Sequence, residues 1–141
     1  TMTDTDLLAE RIEGVLSRFP MLRERADKQA STLSGGEQKL LELGRGLLLD
    51  PKLMLIDEPS IGLAPLVVRR VFDELIGLRD SGVTVLMVEQ NARSALAISD
   101  DALVLEQGSL ALSGPAAEIL DDPRIGALFL GGGLSKADGP G

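Results

Sequence analysis

The chain has 141 residues and a formal net charge of −8, and it contains neither cysteine nor histidine. The length suits a single domain with an aliphatic core. The absence of cysteine and histidine excludes disulfides, thiolate or imidazole metal sites and a histidine base. The negative charge argues against a nucleic-acid backbone as ligand. Because no apolar stretch approaches the roughly 18 residues that cross a bilayer, and the first residues do not resemble a signal peptide, we expect a soluble protein of the cytoplasm.

The apolar residues of the first third follow helical spacing. The pattern predicts an amphipathic helix over residues 4–19, a short helix and a linker over 21–32, and a second long helix from Ser34 to about Leu49. The apolar run Leu53–Asp57 then predicts a strand. Because this run does not alternate with polar residues, we expect it to be covered on both faces in a parallel sheet.

Helices and strands alternate through the rest of the chain. We predict a helix over 66–80, a second buried strand over 83–88, a short helix over 92–98, strands over 102–106 and 109–113 joined at Gln107-Gly108, short helices over 115–120 and 123–130, and a Gly-rich, disordered tail over 131–141. This alternation predicts an α/β fold with a largely parallel sheet.

A hexamer with two glycines, Leu33–Gln38, opens the second long helix. Ser34 and Glu37 have the spacing of a capping box, in which each side chain bonds the backbone N–H of the other residue. A cap does not explain Gly35 and Gly36, since each glycine costs about 1 kcal/mol of helix propensity relative to Ala. Glycines at a helix start let a ligand approach the free N–H groups, which suit a phosphate. We interpret the hexamer as a phosphate contact, with a simple cap as the alternative.

Two adjacent carboxylates, Asp57 and Glu58, follow the first strand at the edge where open α/β sheets bind ligands. One carboxylate can hold Mg²⁺ while the other orients or deprotonates a water. Pro59 ends the strand directly after them. Glu89-Gln90 follows the second strand at the same edge, and the Gln90 amide suits a bond to a phosphate or a water, although a solvated amide is the plainer interpretation.

The sequence contains no Gly-Lys-Ser/Thr step, and none of its four lysines follows a glycine. In a P-loop the lysine of that step reaches the terminal phosphates of the nucleotide. We therefore predict that these 141 residues include the side chains for hydrolysing a nucleotide but not the P-loop that binds its phosphates.

The hexamer Leu33–Gln38, the strand Leu53–Glu58 and the spacing between them resemble the ATPase subunits of ABC transporters. Further segments are similar to the LivF-type ATPases of branched-chain amino-acid uptake systems, namely Phe19–Leu22, Ser60–Pro65, Val88–Ala92 and Leu130–Gly132. The resemblance covers about residues 7–131. It is highly specific at the hexamer and weaker at the strand taken alone.

The resemblance implies a role for each matching residue. Ser34, Gly35 and Gly36 would contact the γ-phosphate of ATP held by a second ATPase subunit in a head-to-tail dimer, and the hexamer Leu33–Gln38 as a whole would form this part of the ATP site. Asp57 would bind Mg²⁺ and Glu58 would be the catalytic base. Ser60–Pro65 would form the D-loop between the two sites, and Gln90 stands where most members carry a switch histidine.

The resemblance also implies ATP and Mg²⁺ as cofactors, integral membrane permease subunits as partners, no nucleic acid, and a location on the inner face of the cell membrane through the permease. Residues 1–32 would be a remnant of the helical subdomain, 33–130 the C-terminal part of the ATPase core, and 131–141 a flexible tail. In the family the P-loop strand lies between the strands that resemble 83–88 and 102–106. We therefore expect an unpaired strand edge, rearrangement or self-association, weak ATP binding and negligible turnover by this chain alone.

Two other functions fit parts of the sequence. The C-terminal ATPase lobe of a chromosome-maintenance or DNA-repair protein also carries such a hexamer and an Asp-Glu strand, but residues 1–32 show no sustained heptads and the charge is acidic. A non-catalytic interaction module that kept the fold is the third possibility. The main prediction is an ATPase subunit that powers an ABC importer for branched-chain or other amino acids.

Overall fold

The computed structural model describes residues 4–129, with side chains up to residue 126. The chain divides into two compact units, residues 1–90 and 91–141, and each is described by itself. The predicted tail over 131–141 lies outside the described residues.

The described part of the first unit contains four helices, a 3₁₀ turn and two strands. In chain order these are α1 (Asp4–Arg18), α2 (Pro20–Glu24), the 3₁₀ turn (Ala30–Thr32), α3 (Gly35–Leu47), β1 (Leu53–Asp57), α4 (Pro65–Asp80) and β2 (Thr84–Val88). The predicted long helices and both strands are confirmed, with ends shifted by at most two residues.

Helices α1, α2 and α3 pack closely around the aromatic ring of Phe19, which is 2% exposed. A Cβ placed on Gly44 of α3 would lie 2.8 Å from Cγ1 of Val15 on α1, so the glycine permits the close approach of the two helices. Arg18 ties α1 to α4, because its Nη2 donates to the carbonyl of Glu74 at 3.1 Å. These contacts hold α3, which carries the predicted hexamer, in a defined position.

Strands β1 and β2 form a parallel pair, with Leu53 opposite Thr84 at one end and Asp57 opposite Val88 at the other. The two strands therefore end at the same edge, as the sequence predicts. Among the described residues β2 is hydrogen-bonded to β1 alone, so the strand has an unpaired side there. Self-association through that edge stays a prediction.

The prediction that β1 and β2 are covered on both faces is wrong. Met54 and Ile56 are buried, whereas Leu55 is 72% exposed and Leu86 is 58% exposed. Within this unit α4 packs on β2, and α3 contacts Met54 at Gly46. The unbroken apolar run reflects the composition of the strand and does not report how many of its faces are covered.

The described part of the second unit contains α5 (Ala92–Leu96), β3 (Asp101–Glu106), β4 (Ser109–Pro115), α6 (Ala116–Asp121) and α7 (Pro123–Phe129). Its small core consists of buried Leu96, Ala116, Ile119 and Ile125, with Val104 packed against them. Both units combine helices with strands, and β1, α4 and β2 alternate in the first, which agrees with the predicted α/β class.

Strands β3 and β4 form an antiparallel hairpin, which adds a separate antiparallel pair to the parallel one. The predicted connection at Gln107-Gly108 is confirmed, and both residues have positive φ, 48° and 76°. Two left-handed residues in a two-residue loop give the turn that matches the twist of the strands. Among residues 4–129, none of the helices combines the length and the apolar character needed to span a bilayer.

Asp122, just before α7, carries a carboxylate whose ionised form is stabilised by Arg124. Asp122 accepts from the backbone N–H of Arg124 at 2.8 Å, and the Arg124 guanidinium bonds both carboxylate oxygens. The guanidinium bonds, followed by the backbone bond, lower the pKa of Asp122 to about 2. This carboxylate therefore stays ionised at any pH at which the protein is expected to work.

Candidate functional site

The hexamer forms the capped N-terminus of α3. The backbone N–H of Ser34 donates to Oε2 of Glu37 at 2.7 Å, and the N–H of Glu37 donates to Oγ of Ser34 at 3.4 Å. The predicted capping box is therefore present. The side chain of Gln38 also turns back, donating from Nε2 to the carbonyl of Leu33 at 3.0 Å. We call residues 33–38 in this arrangement the signature turn.

The carboxylate of Glu37 is held by the signature turn and by an arginine. Its other oxygen, Oε1, accepts from Nε of Arg25 at 3.3 Å. The backbone N–H of Ser34, then its hydroxyl, and lastly Arg25 lower the pKa of Glu37 below its ordinary value. The negative charge also lies at the positive end of the α3 dipole, where it is stabilising.

The two positions of the signature turn that carry glycine differ in how much room they leave for a side chain. A Cβ on Gly36 would lie 2.3 Å from Cγ1 of Val67, so only glycine fits where α3 meets α4. A Cβ on Gly35 would lie 3.4 Å from Cδ2 of Leu63, an ordinary contact distance. Helix packing therefore requires Gly36, contrary to the prediction that only an approaching ligand explains both glycines. Gly35 keeps the interpretation as a position that a ligand can approach.

Asp57 and Glu58 lie at the carboxyl end of β1, as predicted. Asp57 is exposed. Glu58 has a left-handed backbone, with φ 42°, which non-glycine residues adopt at a cost of roughly 1–2 kcal/mol. Its backbone N–H continues the ladder by donating to the carbonyl of Val88 at 2.8 Å. The carboxylate of Glu58 is therefore carried on a defined bend that turns the chain away from the strand.

A contact that the sequence did not predict fixes the residues after this bend. Both carboxylate oxygens of Glu89 accept from Ser60: Oε2 from the backbone N–H at 3.1 Å and Oε1 from the hydroxyl at 2.8 Å. Pro59, between the bend and Ser60, is fully buried. We call Glu58–Ser60 with this clamp the strand-end turn. The sequence signal for it was weak: two polar residues that each follow a strand of the same parallel pair.

Gln90 follows Glu89 and is exposed at the same edge of the β1–β2 pair as Asp57. The structure therefore brings the predicted residues Asp57, Glu58 and Gln90 to one edge.

A short segment connects this edge with the signature turn. From Ser60, which Glu89 holds, the chain runs through Gly62, whose φ is 71°, to Pro65 at the start of α4. Near its end, Leu63 lies against Gly35 of the signature turn. Ser60–Pro65 therefore contacts both groups of predicted residues, which it links within one unit.

The donor atoms at the strand edge fit Mg²⁺ in company with a nucleotide. Mg²⁺ takes oxygen ligands and is commonly bound through one or two carboxylates, waters and substrate phosphates. Asp57 offers an exposed carboxylate at this edge, and no group of three or more metal-ligating side chains occurs among residues 4–129. The remaining ligands of such an ion would therefore be waters and phosphate oxygens.

The start of α3 fits a phosphate group. The first residues of a helix have N–H groups without intrahelical partners and a partial positive charge. In the signature turn the Ser34 and Glu37 N–H groups already bond within the capping box. Gly35 and Gly36 are thus the residues whose N–H groups suit the phosphate.

A groove elsewhere in the first unit, with a volume of about 370 Å³, lies between α1 and the end of α3. It is lined by Leu7, Glu10, Arg11, Gly14, Val15, Arg18, Leu47 and Asp50. None of the predicted site residues lines it.

Comparison with known proteins gives consistent matches. Residues 3–61 match the family described as ABC transporter. The high-affinity branched-chain amino acid transport ATP-binding protein BraG of Pseudomonas aeruginosa is 45% identical over 130 residues, which are 92% of this chain and 56% of that protein. The probable branched-chain amino acid transport ATP-binding protein LivF of Archaeoglobus fulgidus is 37% identical, over 91% of this chain and 55% of that protein.

A solved structure agrees with these relatives. The fold is similar to the ADP conformation of an ATP-binding cassette of an ABC transporter, with a TM-score of 0.77 and 30% identity, over 88% of this chain and 50% of that one. The chain therefore spans about half the length of the proteins it matches.

Proposed function

Because the chain belongs to the family of ABC transporter ATP-binding proteins, we propose that it is part of a subunit that hydrolyses ATP to power the uptake of branched-chain amino acids. The observation that carries the proposal is the joint presence of the signature turn and the Asp57-Glu58 edge in one unit, linked by Ser60–Pro65. The 45% identity to a branched-chain amino acid transport protein over 92% of this chain supports the choice of solute.

The residues of the two groups take complementary roles. Gly35 and Gly36, with the Ser34 side chain beside them, contact the γ-phosphate of ATP bound to a second ATPase subunit. Leu33, Glu37 and Gln38 complete that contact surface by holding its shape. Asp57 holds Mg²⁺, which neutralises phosphate charge when bound.

At the strand edge, Glu58 accepts a proton from the attacking water as general base, and Gln90 orients that water or the γ-phosphate. Both side chains follow strands that end at the same edge, as an acid–base site on one bound nucleotide requires.

The proposed assembly has two ATPase subunits arranged head to tail and bound to integral membrane permease subunits at the cytoplasmic face of the membrane. In it, residues 1–32 belong to a helical subdomain, residues 33–130 to the ATPase core, and 131–141 to a tail. The acidic charge of −8 leaves nucleic acid out of the proposed partners.

The test of the reaction is ATP hydrolysis by the complete gene product that carries residues 1–141, with and without Glu58→Gln. We expect the substitution to lower kcat by about 10²–10⁴-fold, the usual contribution of a positioned general base, while ATP binding is retained. Unchanged turnover in the Glu58→Gln protein would contradict the role of Glu58.

The 141 residues on their own are proposed to bind Mg-ATP weakly and to turn it over negligibly, since they contain no Gly-Lys-Ser/Thr step. Titration calorimetry with Mg-ATP measures this directly, and micromolar affinity would refute it. The solute is tested separately: loss of leucine, isoleucine and valine uptake in cells carrying Glu58→Gln is the expected result, and unchanged uptake of all three would contradict the choice of branched-chain amino acids.

A further inference from the structure

The left-handed backbone of Glu58 must be stabilised by the residues around it. A left-handed backbone at a non-glycine residue persists only where neighbouring groups determine it, and such residues are concentrated at functional sites. On its N-terminal side Glu58 is held by the bond from its N–H to the Val88 carbonyl at 2.8 Å. On its C-terminal side the buried Pro59 has a fixed φ and no N–H, so the next residue that can be held by a hydrogen bond from its backbone N–H is Ser60.

We propose that Glu89 is a positioning residue for Glu58 and acts through Ser60; this inference rests on the ATPase function proposed above. The two oxygens of the Glu89 carboxylate receive the two donors of Ser60, at 3.1 and 2.8 Å. Val88 and Glu89 thus hold Glu58 and Ser60 from the adjacent strand end. With both ends of the bend fixed, the direction of the Cα–Cβ bond of Glu58 is fixed as well.

The chemistry of the clamp requires a carboxylate. A carboxylate accepts two hydrogen bonds in parallel, and bonds to an ionised acceptor are stronger than those between neutral groups. A glutamine at position 89 would keep a single acceptor oxygen, and an alanine would keep none.

A third carboxylate, next to Asp57 and Glu58, also suggests a metal ligand or a base, and the contacts distinguish these roles. Both oxygens of Glu89 accept hydrogen bonds from the two donors of Ser60. The geometry therefore gives Glu89 a holding role, whereas Glu58 keeps the proton-accepting one.

The test compares variants of the complete gene product, assembled with its membrane subunits, in steady-state ATP hydrolysis. Glu89→Ala is expected to lower kcat about 10- to 100-fold and to leave KM for ATP within about twofold, because a misplacement of about 1 Å lowers rates on the order of 100-fold without changing the groups that bind. Glu89→Gln should lie between Glu89→Ala and the wild type. Glu24→Ala, which removes an exposed carboxylate at the end of α2, is the matched control and should leave kcat unchanged.

Ser60→Ala provides a second variant that removes only the hydroxyl and keeps the N–H bond to Glu89. It should lower kcat less than Glu89→Ala does, and it should have no further effect in the Glu89→Ala background, because the two residues act through one contact. The kcat–pH profile of Glu89→Gln should keep the acid limb of the wild type, since the base is still present. Circular dichroism at the assay temperature confirms that each variant is folded.

Three results would overturn the inference: wild-type kcat in folded Glu89→Ala, a change confined to KM, or losses for Ser60→Ala and Glu89→Ala that add. Loss of the acid limb in Glu89→Gln would also overturn it, by making Glu89 the base. If the wild-type protein does not hydrolyse ATP, the proposed function is wrong and the inference falls with it. If the wild type hydrolyses ATP and Glu89→Ala matches it, only the inference is wrong.

Discussion

The signature turn and the strand-end turn are both compact, and both are proposed to act in phosphate chemistry, but they are held in opposite ways. In the signature turn, Ser34 and Glu37 bond each other across three residues, and Gln38 bonds a carbonyl five residues back. In the strand-end turn, Ser60 is held by a residue 29 positions away. The first can form as soon as its helix forms, whereas the second exists only when β1 and β2 are paired.

The difference has a consequence for local stability. Structure held by neighbours in sequence can open by itself, whereas structure held by a distant strand opens with the larger unit that contains both partners. The helix end proposed to contact phosphate can thus be adaptable in a protein whose proposed base is carried on a rigid segment.

Hydrogen exchange provides the largest expected contrast. The amides of Glu58 and Ser60 bond Val88 and Glu89 across the strand pair, so we expect them to exchange at least about a hundredfold more slowly, relative to unstructured amides, than the amide of Ser34. In Glu89→Ala the Ser60 amide should lose this protection and the Ser34 amide should not change. Equal protection of Ser34 and Ser60 in the wild type would show that the two turns open together.

The packing of Gly36 against α4 is a contact of the signature turn with a distant part of the chain, and Gly36→Ala tests it. The added Cβ would meet Val67 at 2.3 Å, and overpacking of this kind lowers the free energy of unfolding by about 1–3 kcal/mol. Gly14→Ala on α1 is the control, since nothing lies within 4 Å of its added Cβ, and it should raise the free energy of unfolding by up to about 1 kcal/mol. Urea denaturation measures both.

Val67→Ala in the Gly36→Ala background should recover part of the loss. If Gly36→Ala instead stabilised the protein as Gly14→Ala does, the packing of Gly36 against α4 would have no energetic importance for the signature turn.

Removal of the cap should have a smaller effect. Ser34→Ala leaves the Glu37 N–H without its hydroxyl partner, and the loss of such a cap lowers the free energy of unfolding by about 1 kcal/mol. Ser34→Gly should cost only a few tenths of a kcal/mol. Thermal denaturation of the two variants checks the order, and identical melting temperatures for Ser34→Ala and the wild type would show that the box contributes nothing measurable.

The smallest expected effect is on the pH dependence of stability. The pKa of Glu37 is lowered, chiefly by the Ser34 backbone bond, so its ionised form stabilises the folded protein above the unfolded pKa, and this contribution is lost as the pH falls through the folded pKa. The melting-temperature difference between wild type and Glu37→Gln should therefore shrink at acidic pH. A difference that grew on acidification would give the opposite sign and refute the assignment.

The sequence predicted what depends on neighbours along the chain. The Ser-x-x-Glu spacing predicted the capping box, the helical spacing predicted α1, α3 and α4, and Gln107-Gly108 predicted the hairpin turn. The family resemblance, carried by the same short motifs, was confirmed by the comparisons with ABC transporter proteins.

What the sequence did not predict depends on residues that meet only in space. Gly36 was interpreted through a ligand because Val67, its packing partner, is 31 positions away. Glu89 received no role, since its connection with Ser60 across 29 positions is indicated along the chain only by the fact that each residue follows a strand of the same pair. The apolar run of β1 predicted two covered faces, although Leu55 is 72% exposed, because apolar composition does not specify which elements lie above a strand.

The separation of Ser60 from Glu89 along the chain also determines the order in which the two turns can form during translation. A ribosome adds about 5–20 residues per second, so Glu89 is made roughly 1.5 to 6 s after Ser60, from which it is 29 residues away. During that interval the nascent chain can complete the signature turn, while the proposed base is attached to a segment that its clamp does not yet hold. Translation therefore finishes the part proposed to recognise phosphate before the part proposed to hydrolyse it.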